Sequence, residues 1–134
     1  MKMPNAGLNI RGFAVTDGEF GPVKLDLTPS GIAKVIGTKA FTMMNRYIYS
    51  MPIVVVYRDS VGSDAQSSIY GDEQVKGAVL LLGGTAEDIH SLSDFEVMTI
   101  RSCANMMKLG GDNRLLIGNV TKKPKATPIQ VVEE

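Results

Sequence analysis

Residues 77–109 read GAVLLLGGTAEDIHSLSDFEVMTIRSCANMMKL, and this stretch decides the fold. Its opening is a short, wholly apolar run, Val79 to Leu82, bounded by glycines, the pattern of a buried strand. A polar turn follows, and then a helix start signal. Ser93 can cap the helix while Glu96, three residues on, reaches back to the cap's own backbone. The helix is expected to run to Leu109 and to be apolar on two sides. Val97, Ile100, Cys103, Ala104 and Met107 share one face at 3.6 residues per turn, and Phe95, Met98, Met106 and Leu109 lie nearly opposite. A helix apolar on two sides needs two covers, so this segment points to assembly rather than to chemistry.

Working outward, the 134 residues fit one domain spanning 1–134, with 44% hydrophobic and 21% charged residues, ordinary values for a folded globular chain. Fourteen basic residues cancel fourteen acidic ones, so no net field attracts a polyanion, which argues against a nucleic-acid binder and suits self-association. The N-terminal MKMPNAGLNIRG has no apolar core segment of a secretory signal, and no run is long enough to span a bilayer. The single cysteine, Cys103, cannot form an internal disulfide. These features lead to the expectation of a cytoplasmic protein without a membrane partner.

Upstream, Leu8 to Val15 reads as a strand, Asp17-Gly18 as a turn, and Val23, Leu25 and Leu27 as the alternating positions of a second strand. Thr28-Pro29 caps a short helix carrying Ile32, Val35 and Ile36, which Gly37 ends. Residues 40–51 are open. As a helix, Ala40, Met43, Met44, Tyr47, Ile48 and Met51 share a face; as a strand, Phe41, Met43, Tyr47, Tyr49 and Met51 do. Ile53 to Tyr57, with four consecutive β-branched residues apolar on both faces, is a strand inside the sheet. Residues 58–74 read as a long polar connection anchored by Ile69 and Tyr70. Leu115 to Val120 is a further strand, and 121–134 is an extended tail or edge strand.

From Pro22 to Ile100 the order of signals resembles a family of small phage- and plasmid-associated proteins of unknown function. The blocks carrying the resemblance are PVKLDL, TPSGIAKVIG, IVVVYRDS, GAVLLLGG and SLSDFEVMTI. The resemblance implies a strand for residues 40–51 and a setting in mobile genetic elements. It brings no activity and no site residues with it, and the chain departs from the family pattern in the loop at 58–74.

Chemistry-bearing residues are sparse. His90 falls in a polar turn and reads as a solvated surface residue, and Cys103 reads as a small buried hydrophobe. One histidine and one cysteine do not make a zinc site, and Glu87, Asp88 and Asp94 lack the spacing of a calcium loop. Gly83-Gly84-Thr85 reads as a turn rather than a phosphate loop, and Lys122, Lys123 and Lys125 as a solvated run. The most suggestive set is Arg46, Tyr49, Arg58 and Tyr70. Arginines grip phosphates through forked hydrogen bonds, and tyrosines stack on bases. The competing reading packs the tyrosines at the core margin and pairs the arginines with Asp59 or Asp72.

The fold expected is α+β: a mainly antiparallel sheet of about five or six strands, with one short and one long helix packed on one face. The function expected is that of a non-catalytic binding protein of a phage or mobile element. It would act in counter-defence by sequestering a nucleotide-like small ligand at Arg46, Tyr49, Arg58 and Tyr70, or by masking a host protein. The alternative is a structural or accessory protein without a small ligand. Both are expected to be homo-oligomers, with no metal and no cofactor.

Overall fold

The computed structural model describes residues 7–16, 19–59, 67–109 and 112–124. The protein is α+β and mostly strand, but its strands form two sheets rather than one. In chain order the elements are β1 (Asn9–Thr16), β2 (Glu19–Asp26), α1 (Pro29–Ile36), β3 (Phe41–Ile48), β4 (Met51–Arg58), β5 (Ser67–Tyr70) and β6 (Glu73–Lys76). Next come β7 (Val79–Thr85), β8 (Asp88–His90), α2 (Asp94–Cys103), β9 (Ala104–Leu109), β10 (Asp112–Ile117) and β11 (Val120–Thr121). The larger sheet has seven strands in the order β11-β3-β4-β7-β1-β2, with β8 hairpinned onto the end of β7. Its pairings are all antiparallel. The smaller sheet runs β6-β5-β10-β9, with a parallel pairing between β5 and β10.

Strands β4 and β7 lie inside the larger sheet because they are apolar on both faces. Val54, Val56, Leu80 and Leu82 face one way and join Ile32 and Ile36 of α1. Ile53, Val55, Val79 and Leu81 face the other way and join Tyr70, Val75, Leu115 and Ile117 of the smaller sheet and Val97, Ile100 and Cys103 of α2. The two helices therefore cover opposite faces, which corrects the expectation that they share one. The reason is the doubly apolar strand pair: each face of the central strands needs its own cover.

Two local readings hold, and the one left open at 40–51 is decided. Thr28 caps α1 by accepting from the Gly31 N–H, Pro29 opens the helix, and Gly37 ends it in the left-handed region. Ser93 and Glu96 form a reciprocal capping box on α2, at 3.1 Å and 2.8 Å. Residues 41–48 are a strand, paired with β4 through a two-residue turn at Tyr49-Ser50.

Three others change. The helix stops at Cys103, and the stretch expected to continue it is β9, paired over its whole length with β10. Methionine and leucine tolerate either state, so the available partner strand wins over helical periodicity. The two-sided cover argued for a longer helix thus loses its premise, although Phe95 and Met98 on α2 are 73% and 68% exposed. Of the supposed loop at 58–74, residues 60–66 lie outside the described residues, and from Ser67 it enters the β5–β6 hairpin, with Gly71-Asp72 as its tight turn. Gly83 and Gly84 belong to β7 rather than to a turn, and the His90 ring lies against them. Of the tail expected at 121–134, Thr121 belongs to β11 against β3; residues 125–134 lie outside the described residues. Among the described residues no helix is long and apolar enough to cross a membrane.

Candidate functional site

The strand alternation of β3 puts Met44, Arg46 and Ile48 on the face that looks toward the smaller sheet. Across from it, β6 presents Glu73 and Val75 on its inward positions. Between the sheets lies a cleft of about 370 Å³ bordered by Met44, Arg46, Tyr57, Arg58, Asp59 and the β6 residues Glu73 to Lys76. Its size falls within the roughly 300–1,000 Å³ that small-molecule sites occupy.

Arg46 and Glu73 bridge the cleft. The Arg46 Nε lies 2.7 Å from Glu73 Oε2 and its Nη2 2.8 Å from Oε1, a forked pair. The remaining Nη1 donates to the Asn45 carbonyl at 2.7 Å. The hydrogen bond from Arg46 is the main cause holding the Glu73 carboxyl below its ordinary range. Burial opposes it, and the charges of Arg46 and Lys122 add to it. The same bond raises the Arg46 guanidinium further, against a smaller effect of burial. Arg46 is therefore paired, with Glu73 rather than with Asp59 or Asp72.

Arg58 differs. It ends β4 in register with Phe41, so alternation assigns it to the face of Val54 and Val56, and it meets the cleft at the strand terminus. Its Nε is buried without a hydrogen-bond acceptor among the described residues. Neighbouring Asp59 accepts a hydrogen bond from the Thr42 hydroxyl. Among the described residues neither Arg58 nor Lys76 enters an ion pair.

The tyrosines do not join the arginines at the cleft. Tyr70 is fully buried, its hydroxyl accepting from Ser68 Oγ at 2.9 Å, and burial pushes its phenol pKa up despite that bond. Tyr49 occupies the β3–β4 turn with φ 58 and packs its half-buried side chain on the core. The aromatic residue at the cleft is Tyr57, which the sequence reading treated only as the end of a strand. Glu73, Gln74 and Lys76 were also missed. A Gly-Asp turn between SSIY and EQVK is the hairpin signal that would have placed them.

His90 and Cys103 lie away from the cleft. On β8, the His90 Nδ1 is 2.9 Å from the Ser91 carbonyl oxygen and its Nε2 is 3.8 Å from Glu96. The ring crowds Gly83, where a Cβ would come within 2.6 Å of Cε1. Cys103 is buried at the end of α2, where Asn119 Nδ2 approaches its Sγ at 3.6 Å. Arg11 secures the start of α2, with Nε donating to the Leu92 carbonyl at 2.8 Å and Nη1 paired with Asp94 at 2.8 Å. No three histidine, cysteine or acidic side chains gather as a metal-holding group among the described residues.

Comparison with protein-family models, with curated proteins and with solved structures yields no match. The functional argument accordingly rests on the geometry of this chain.

Proposed function

We propose that this chain is a non-catalytic binding protein that holds a small, nucleotide-like anionic ligand in the cleft between its two sheets. The observation that carries this reading is the cleft itself, a concave site of about 370 Å³ bordered by both arginines singled out from the sequence. Met44, Tyr57 and Val75 supply apolar surface, and the charged side chains supply orientation, the usual division in small-molecule sites. Neither His90 nor Cys103 borders the cleft, and both bordering carboxylates already have partners, Glu73 in Arg46 and Asp59 in Thr42. This supports retention of a ligand over its turnover. The phage or mobile-element setting, and with it a counter-defence role by sequestration, comes from the resemblance of residues 22–100 alone, and the cytoplasmic setting from the single cysteine and the sequence composition.

The test is native mass spectrometry of the protein purified from cells, beside a Met44→Trp variant that fills the cleft. The reading expects a non-covalent small-molecule mass on the native chain and none on the variant. Clean native protein, or a ligand that is chemically converted on incubation, overturns it.

A second reading, a structural or accessory homo-oligomer with no small ligand, draws on the exposed pair Phe95 and Met98, one helical turn apart on α2. It expects a concentration-dependent oligomer that Phe95→Glu dissociates, measured by light scattering on a sizing column. A monomer throughout removes this second reading.

A further inference from the structure

Resting on the cleft reading above, we infer that the two arginines have different tasks: Arg58, helped by Lys76, receives the phosphate of a phosphomonoester ligand, and Arg46 is a positioning residue that fixes the cleft wall. The Arg46 guanidinium is fully engaged. Two of its nitrogens hold Glu73 and the third holds the Asn45 carbonyl, so a ligand reaching Arg46 must first displace a carboxylate already bound in fork geometry. Arg58 has the opposite status. It borders the cleft and enters no ion pair among the described residues.

The charge balance agrees. Once Arg46 and Glu73 cancel, the border of the cleft keeps two cations, Arg58 and Lys76, against one carboxylate, Asp59, which already accepts from Thr42. The unspent charge is positive, and neither residue that carries it enters an ion pair among those described. A phosphate monoester brings several acceptor oxygens and a charge between one and two, which suits an arginine and an exposed lysine that border the same cleft without ion pairs. Tyr57, Met44 and Val75 then face the ligand's apolar or aromatic portion. The ligand class is a phosphomonoester carrying a ring, of which nucleoside monophosphates are the ready probe.

Isothermal titration calorimetry of the full chain with the four ribonucleoside monophosphates, their nucleosides and inorganic phosphate tests the assignment. The variants are Arg58→Gln, Arg58→Lys and the double Arg46→Met/Glu73→Met, each checked for its unfolding midpoint. The expected result is that at least one monophosphate binds at least about tenfold more tightly than its nucleoside, the gain expected for charge-assisted hydrogen bonds. Arg58→Gln removes that preference and Arg58→Lys restores part of it, whereas the double variant, which loosens the cleft wall, weakens monophosphate and nucleoside alike and so leaves their ratio within about threefold. A double variant that loses the preference while Arg58→Gln retains it overturns this inference and leaves the cleft reading standing. Absence of binding by the native chain to every probe overturns both.

Discussion

The Arg46–Glu73 pair joins β3 of the larger sheet to β6 of the smaller one, and its removal predicts a specific energetic pattern. Each of its two hydrogen bonds is charge-assisted, a type whose loss costs roughly 1.5–3 kcal/mol in folded proteins. The side chains are 14% and 27% exposed, so they are not a surface pair worth a few tenths. They nevertheless lie close to the molecular surface, where solvent screens them well below the roughly 3–5 kcal/mol that breaking a deeply buried pair costs. Arg46→Met is expected to cost about 2 kcal/mol, because Glu73 is left half-buried with Lys122 as its remaining cation. Glu73→Met is expected to cost about 1.5 kcal/mol, since Arg46 keeps the Asn45 carbonyl and solvent. The double variant should cost about 2 kcal/mol in total, leaving a coupling of about 1.5 kcal/mol.

Urea unfolding of the four proteins, with an unchanged slope against denaturant, measures this cycle. The pair also predicts the pH dependence. Glu73 has its carboxyl pKa lowered in the folded state, so its contribution is fully present above the ordinary carboxylate range. It is lost as pH falls through the lowered folded value. Glu73→Met should therefore flatten the acid side of the stability profile and leave the neutral side parallel to the native curve. Losses that add within about 0.3 kcal/mol would refute the claim that this pair ties the sheets together.

Two further outcomes follow from backbone geometry. Gly71→Ala should cost about 3 kcal/mol or more, because its φ of +66 disfavours a side chain and a Cβ there would collide with the Val120 carbonyl oxygen. Gly37→Ala, at φ +86 with open space around it, carries only the conformational part, about 1 kcal/mol, and equal losses at the two sites in urea titrations would contradict the steric argument. Ser93→Ala should cost about 1 kcal/mol by removing half of the α2 capping box, whereas Ser93→Asp should cost far less; an unchanged midpoint for the alanine variant would show that Arg11 and its partners hold the helix start without the cap.

Much of the architecture is legible locally. The capping box at Ser93, the Thr28-Pro29 helix start and the doubly apolar runs at 53–57 and 79–82 are each set by a few neighbouring residues. Their physics is contained within one turn or one strand, so the sequence by itself determined the α+β class and the interior place of β4. Residues 104–109 show the opposite case. Their side chains fit a helix or a strand, and the backbone adopts the strand because β10 offers a full antiparallel ladder. The opposite placement of α1 and α2 likewise depends on which face of the sheet each loop reaches.

The site divides in the same way. Arg46 stands out in the sequence as a charge on a strand rich in aromatic residues and Arg58 as the end of the central strand, and both border the cleft. Their difference in status was beyond reach, because Glu73 lies 27 positions from Arg46 and meets it only when β6 folds against β3. Tyr70 was drawn to the site by its residue type, and tertiary packing put it in the core with Ser68 as its hydrogen-bond partner. Local sequence determines which backbone states are cheap and which side chains can carry charge. Long-range packing alone decided which of those charges are already paired, and that pairing separates Arg46 from Arg58.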